Sequence, residues 1–257
     1  MPCFSRGASV TANIFITLQA EIVFKMPTYN IIGDIHGRTN WKELVDEDCI
    51  NIFVGDYFDP YTEILFEDLE RNFLEIIDLK KRMPDNVVLL YGNHDYEYLP
   101  GIFERSNRYD AFNARKIMAL LTENEAQFYG VAYAIGNTCL VTHAGVTKPW
   151  VMNHLPEAAR LLPRKMEEAI NTLWINDKKA FGFDGNADPF DYHGESKGHS
   201  PLWVRPRSFF ENNIYKNRKN VVQVVGHSKV RAVAQEGNII FVDCLGSVTE
   251  SKRVSLE

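Results

Sequence analysis

Short apolar runs recur along the chain, and several stop at a glycine followed by a polar, metal-binding residue. Asn30-Ile31-Ile32 leads into Gly33-Asp34, Ile50 to Val54 into Gly55-Asp56, and Val87 to Tyr91 into Gly92-Asn93. Val221 to Val225 leads into Gly226-His227, and Thr138 to Thr142 is closed by His143. Runs of this length bounded by turn residues read as buried strands. Between the first three lie a short helix over Trp41 to Asp46 and a longer one. Phe66, Leu69, Phe73, Ile76 and Ile77 recur at helical spacing until Pro84 stops them. Strand–helix–strand alternation predicts parallel pairing in a layered α/β domain. Arg108 to Leu121 reads as a helix, and Met166, Ile170, Leu173 and Trp174 mark another. Phe128 to Ile135, a Gly136-Asn137 turn and Thr138 to Thr142 read as a hairpin. The end returns to strands at Val221–Val225, Val230–Gln235 and Ile239–Val242, with a turn over Glu236-Gly237-Asn238. Phe181 to Pro201, rich in Gly, Asp, His and Pro, has no period and reads as a long, solvated acidic loop.

Composition changes this picture little. A chain of 257 residues buries one substantial core. The net charge of −6 speaks against a surface that coats nucleic acid. Cys3, Cys49, Cys139 and Cys244 are scattered without a short pair spacing, as expected of buried thiols in a reducing, cytoplasmic setting. No apolar run approaches the roughly 20 residues that span a bilayer, so no membrane partner is expected. Residues 1–26 are the odd part. Ala12 to Leu18 is apolar, but Gln19 and Glu21 interrupt it, unlike a signal peptide. They read as a poorly ordered extension ahead of a domain spanning 27–257.

Open α/β sheets bind ligands beyond the carboxyl ends of their strands. Carboxylate, imidazole and carboxamide groups gathered there form a mixed N/O metal site. One such motif alone is weak, because an aspartate after a strand is often a helix cap and a lone histidine a structural residue. Six in order are another matter: Gly33-Asp34-Ile35-His36-Gly37, Gly55-Asp56-Tyr57-Phe58-Asp59, Gly92-Asn93-His94-Asp95, Thr142-His143-Ala144-Gly145, Ser200-Pro201-Leu202-Trp203-Val204-Arg205 and Gly226-His227-Ser228. Together they resemble the calcineurin-like metallophosphoesterases, and within them the phosphoprotein phosphatase branch. That branch is written Gly-Asp-x-His-Gly, Gly-Asp-x-x-Asp-Arg-Gly, Gly-Asn-His-Asp/Glu, His-Ala/Gly-Gly and a final Gly-His. The resemblance runs from about Ile31 to Gly246. The Ser-Pro-Leu-Trp-x-Arg piece and the ending Asn238 to Asp243 are similar to bacterial and phage members.

The resemblance implies a four-layer α/β/β/α sandwich with two mixed β-sheets. It implies two transition-metal ions, manganese first, with iron, zinc or cobalt as alternatives. Asp34, His36 and Asp56 would hold one; Asp56, Asn93, His143 and His227 the other, with Asp56 bridging. Two cations about 3.5–4 Å apart can clamp attacking and leaving oxygens, and water held between them loses its proton near neutral pH. The resulting hydroxide would attack phosphorus in line. No Gly-x-Ser-x-Gly elbow, Walker loop or Cys-x5-Arg loop offers another nucleophile. The resemblance makes His94 the general acid, oriented by Asp59, with Asn93 also beside the substrate. Asp95 is a supporting or merely turn-forming residue.

Two absences matter. The run Gly226-His227-Ser228-Lys229 lacks the Gly-His-x-His of nuclease and phosphodiesterase branches. The family's Asp-Arg-Gly arginine, a bidentate phosphoryl clamp, is also missing: Pro60 and Tyr61 follow Asp59. Arg205 and Arg38 are the candidate replacements. The expected partner is a phosphorylated substrate, a phosphoserine/phosphothreonine protein or a small phosphomonoester. The rivals are hydrolysis of dinucleoside polyphosphates and a metal-binding interaction module that has lost catalysis. His193 and His199, with Asp184, Asp188 and Asp191, belong to the acidic loop, and His154 reads as structural. Tyr91, Tyr96, Tyr98 and Phe103 read as core aromatics.

Overall fold

The structure is a computed structural model that describes residues 26–183 and 199–255. The extension expected over 1–26 therefore lies, except for Met26, outside the described residues. So do Asp184, Asp188, Asp191, His193 and most of the acidic loop.

The first sheet starts with three parallel strands, β1 (Thr28–Ile32), β2 (Cys49–Phe53) and β3 (Val87–Leu89). The second contains β4 (Ala132–Ile135), β5 (Cys139–Thr142), β6 (Val222–Val225), β7 (Ala234–Glu236) and β8 (Ile239–Phe241). Its order is β4-β5-β6-β8-β7, parallel through β5, β6 and β8 and antiparallel at both edges. The last strand, β9 (Lys252–Ser255), returns antiparallel to β1, so both sheets are mixed.

Period-2 alternation sorts each strand between two cores. Ile31, Ile52, Val88, Cys139, Val141, Val224 and Ile240 come from both sheets and share one buried cluster between them. Their neighbours Ile32, Phe53 and Leu89 face outward, in one cluster with Phe73, Ile76 and Ile77 of helix α1 (Phe66–Arg82). The helices α2 (Asn93–Tyr96), α3 (Ala114–Glu123), α4 (Lys148–His154), α5 (Pro163–Asn176) and α6 (Pro206–Asn212) follow. Met166, Ile170 and Trp174 of α5 cover Ala132, Ala134 and Leu140, while Phe209 of α6 covers Val225, Ile239 and Phe241. The result is the α/β/β/α sandwich.

Several boundaries differ from the sequence pattern, each for a local reason. The helix expected from Arg108 begins only at Ala114. Asp110 Oδ1 accepts the backbone N–H groups of Phe112 and Asn113, fixing a turn that leaves Arg108 on a loop. β4 begins at Ala132 because Tyr129 and Gly130 bond to Leu89 and Tyr91 at the end of β3 instead. Near Val230 the chain turns aside to bond Asp243, so β7 starts late. The short helix over Trp41–Asp46 is a single 3₁₀ turn, Asn40–Glu43. β9 is an edge strand of mostly polar residues, without the apolar alternation that would announce it. Tyr91, Tyr96 and Tyr98 are buried as expected, but Phe103 is 86% exposed.

Candidate metal centre

The carboxyl ends of β1, β2 and β3 meet those of β5, β6 and β8. Asp34, Asp56 and Asn93 follow the first three; His143, His227 and Asp243 follow the second three. All six are buried. The close approach of the sheets is visible at Gly33, where a Cβ would fall 2.1 Å from the Val242 carbonyl oxygen. His227 closes the junction by donating its backbone N–H to Asp34 Oδ2 at 3.0 Å.

The backbone here is under tension. Among the described residues, the non-glycine positions with positive φ are His36 (45°), Asp56 (57°), Asp59 (55°) and His227 (62°). Every one belongs to this site. Such conformations cost free energy and persist only where the surroundings enforce them. The enforcement at Asp56 comes from Asp95. Its carboxylate accepts the backbone N–H groups of Asp56 (2.7 Å), Tyr57 (2.9 Å) and Gly92 (2.8 Å). Asp95 thus braces two strand ends at once. Gly92 is equally constrained, because a Cβ there would fall 2.1 Å from Asp56 Oδ1. Gly92→Ala is expected to cost about 1–3 kcal/mol, the usual range for overpacking, and to lower metal retention. Melting and elemental analysis read the two effects; native values in both would contradict this packing.

Three imidazoles have fixed tautomers. His36 Nδ1–H donates to Phe58 O and His143 Nδ1–H to Val54 O, both at 2.9 Å; His227 Nε2–H donates to Trp203 O at 3.1 Å. Each ring then turns a lone pair toward the carboxylates and Asn93, the arrangement typical of metal-ligating histidines. His36 Nε2 lies 3.3 Å and His143 Nε2 3.5 Å from the same atom, Asp56 Oδ2. Asn93 Oδ1 lies 2.8 Å from His143 Nε2 and 3.0 Å from His227 Nδ1. Burial pushes His143 down and His227 well down from the ordinary imidazole range. Lone pairs thus face the Asn93 oxygen without a proton between them, a contact that a cation relieves.

The carboxylates make the same demand. Burial, followed by the nearby Asp243 and Asp56 charges, pushes Asp34 well up. Burial acts on Asp56 too, but His143, His94 and His36 together hold it well below the usual range. Burial also raises Asp243, whose Oδ2 has no hydrogen-bond partner. Among the described residues none of the three forms an ion pair with lysine or arginine. A buried, uncompensated carboxylate cluster of this kind fits cations. Asp34, Asp56 and His143 place ligand atoms within 4.8 Å of one another, as do Asp59, His94 and Glu97. The side chains therefore fit a dinuclear metal site.

His94 stands at the mouth. Its backbone N–H donates to Asp56 Oδ1, and its Nδ1 meets Asp59 Oδ2 at 2.8 Å. Tyr98 OH holds the other Asp59 oxygen. Burial lowers the His94 pKa, but Asp56 and Asp59 outweigh it, and the ring ends above the ordinary value despite Arg108. A cleft of about 740 Å³ opens beyond, lined by Asp56, Asn93, His94, His227, Arg205 and Arg108, among others. Arg205 Nη1 is anchored on His227 O at 3.0 Å. Arg38 lies elsewhere: it bonds Asp34 O and Ile35 O and lines a smaller cavity with His36, Lys229 and Asp243. His199 is buried beside Phe183, and His154 packs on Trp150.

The sequence pattern passed over Asp243, Tyr98 and Arg108. Asp243 carried a usable signal, an acid directly after the apolar run Ile239–Val242. Tyr98 and Arg108 carried none, because both reach the site from the irregular segment after α2.

The sequence profile of the calcineurin-like phosphoesterases matches residues 28–234. No curated protein sequence matches the chain. Among solved structures, a cold-active protein-tyrosine phosphatase of a psychrophilic Shewanella species is similar at 21% identity and a TM-score of 0.56. The alignment covers 86% of this chain and 72% of that one. A protein serine/threonine phosphatase from Saccharomyces cerevisiae aligns at 20% identity and a TM-score of 0.49, over 84% of this chain and 66% of its own.

Proposed function

Because the chain belongs to the calcineurin-like phosphoesterase family, we propose that it hydrolyses phosphomonoesters at a dinuclear metal centre held by Asp34, His36, Asp56, Asn93, His143 and His227. Membership supports phosphoester hydrolysis in general; the monoester specificity and the residue roles are this reading's own. The observation that carries it is the position of Asp56 Oδ2, within 3.5 Å of both His36 and His143. One carboxylate oxygen placed between the two groups of ligands is what a bridging ligand requires.

Bound there, a cation pair supplies an activated water and neutralises charge on the phosphoryl oxygens. The chain's own residues do the rest. Asp34 and Asp56 fix the negative charge that holds the cations. Phe58 O, Val54 O and Trp203 O keep the ligating nitrogens unprotonated and aimed inward. His94, held by Asp59, delivers a proton to the leaving oxygen. Arg205, fixed by the backbone of His227, offers its guanidinium to the phosphoryl group from the cleft wall. Phosphoserine and phosphothreonine peptides or small monoesters are the proposed substrates, with manganese the first metal to try.

The test is turnover by metal-stripped protein reconstituted with manganese, iron, zinc or cobalt. Its panel takes alkyl and aryl monoesters, phosphoserine and phosphothreonine peptides and a dinucleoside polyphosphate. Monoester turnover restored by metal supports the reading; polyphosphate turnover alone would replace it. Arg205→Ala is expected to raise KM and lower kcat. The loss should be roughly tenfold or more in kcat/KM, given about 1.5–3 kcal/mol for a charge-assisted hydrogen bond. Lysine should restore little, since the fork geometry is lost. Unchanged kinetics in Arg205→Ala would remove Arg205 from the site.

A further inference from the structure

The family pattern places an arginine where this chain has Pro60 and a glycine where it has Tyr61. The structure shows what gathers around that exchange. The Arg108 guanidinium carbon lies 3.5 Å from the Tyr61 ring centroid, Lys229 Nζ 3.0 Å and the Arg38 guanidinium carbon 5.4 Å. Among the described residues none of these three cations forms an ion pair with a carboxylate. Two of them, Arg38 and Lys229, feel the nearby Asp243 and Asp34 charges. The three positive groups around one half-exposed ring, in a chain of net charge −6, still gather charge that suits an anion.

Of the three, Arg108 enters the main cleft, where Asp56, Asn93, His94, His227 and Arg205 also stand. Its Nη1 donates to the backbone oxygen of Asp59 at 2.9 Å, and its Nη2 to His94 Nε2 at 2.8 Å. His94 Nε2 therefore accepts here and carries no proton; in the proposed reaction the guanidinium turns from it to the phosphoryl group, leaving Nε2 to take up the proton that it delivers. Its loop is firmly built. Ser106 binds both oxygens of buried Glu97, Arg105 binds Glu97 O and Ile102 O, and Tyr109 stacks on Tyr98 at 4.7 Å. Tyr98 OH in turn accepts the Asp110 N–H and holds Asp59. Loop and orienting carboxylate are one hydrogen-bonded unit.

We propose that Arg108, seated on Tyr61, binds the phosphoryl group in place of the arginine lost at Pro60. A guanidinium from one loop and an aromatic platform from another together supply what the missing residue would have supplied alone. This inference rests on the phosphomonoesterase reading, but binding of inorganic phosphate tests it separately from turnover.

The experiment titrates inorganic phosphate onto metal-loaded native protein, Arg108→Ala, Arg108→Lys and Tyr61→Ala, with metal content and melting measured alongside. Arg108→Ala should bind phosphate about tenfold to a hundredfold more weakly, the range for losing a charge-assisted contact. Its metal content should stay native. Lysine should recover only part, because the planar fork is lost. Free guanidinium ion should partly rescue the alanine variant and leave the lysine variant unchanged. Tyr61→Ala should weaken phosphate binding less than Arg108→Ala, and Tyr61→Phe should not weaken it. Native phosphate affinity in a folded, metal-replete Arg108→Ala protein would overturn the proposal. Should the alanine variant fail to fold, native affinity in Arg108→Lys would overturn it equally. Arg108-dependent phosphate binding without any ester hydrolysis would sink the functional reading and leave this inference standing. Hydrolysis that ignores Arg108 would do the reverse.

Discussion

Stripping the metals is expected to abolish hydrolysis, and Asp56→Asn is expected to be the single ligand change with the largest loss. The reason is geometric. Asp56 Oδ2 lies 3.3 Å from His36 Nε2 and 3.5 Å from His143 Nε2, so its charge serves both halves of the site. In the proposed centre Asp34, His36, Asn93, His143 and His227 would each serve one half. Three imidazoles hold the Asp56 carboxyl well below its usual range against the penalty of complete burial, so it is ionised across the working pH. Asparagine keeps the shape and removes the charge. Metal catalysis typically lowers the barrier by several kcal/mol, and about 1.4 kcal/mol corresponds to a tenfold change in rate. Asp56→Asn should therefore lose on the order of a thousandfold in kcat, with less bound metal by elemental analysis. Full turnover by metal-free protein would falsify the reading outright.

The second large effect belongs to His94. Positioned acid catalysis is typically worth about 10²–10⁴-fold, and His94→Asn should lose that much on alkyl phosphates. The loss should shrink on p-nitrophenyl phosphate, whose leaving group departs with little protonation. Asp59→Asn should give a milder version of the same pattern and a shift in pH dependence. Burial opposes protonation of His94, but the neighbouring Asp56 and Asp59 raise its pKa above the ordinary value. An acid with a raised pKa keeps its proton to higher pH, and activity falls as pH rises through that value. Losing the Asp59 charge should move this falling limb to lower pH. Equal losses for His94→Asn on both ester types would assign His94 to binding instead.

Much of this was legible in sequence because each potential ligand sits directly after its strand. A strand that ends in glycine and a polar residue fixes the direction of the chain and the position of the donor together. That is why Asp34, Asp56, Asn93, His143 and His227 stood out as candidates at strand ends, although their roles as ligands came from the family resemblance. The same logic applied to Asp243 after Ile239–Val242, though one acid alone was too weak a signal. The layering was legible only as strand–helix–strand alternation. That Ile31 and Ile32, Ile52 and Phe53, and Val88 and Leu89 divide between two cores emerged in the structure, since both members of each pair are apolar.

What the tertiary structure alone decided is where the loops carry their charges. By itself the chain determined the strand–helix alternation and the strand ends, while the two sheets and the arginine missing at Pro60 came through the family resemblance. It did not determine which arginine approaches that gap. Arg38, close in sequence to Asp34, turns back onto the backbone carbonyls of Asp34 and Ile35 and faces another cavity. Arg108, placed by the pattern on a helix, lies instead on a loop that Asp110 ends and Tyr98 ties to Asp59. The positive-φ conformations at His36, Asp56, Asp59 and His227 were equally hidden, because packing and hydrogen bonds from distant residues such as Asp95 impose them. Strand ends follow from local periodicity. The reach of a side chain from an irregular loop depends on contacts tens of residues away, and no local pattern records them.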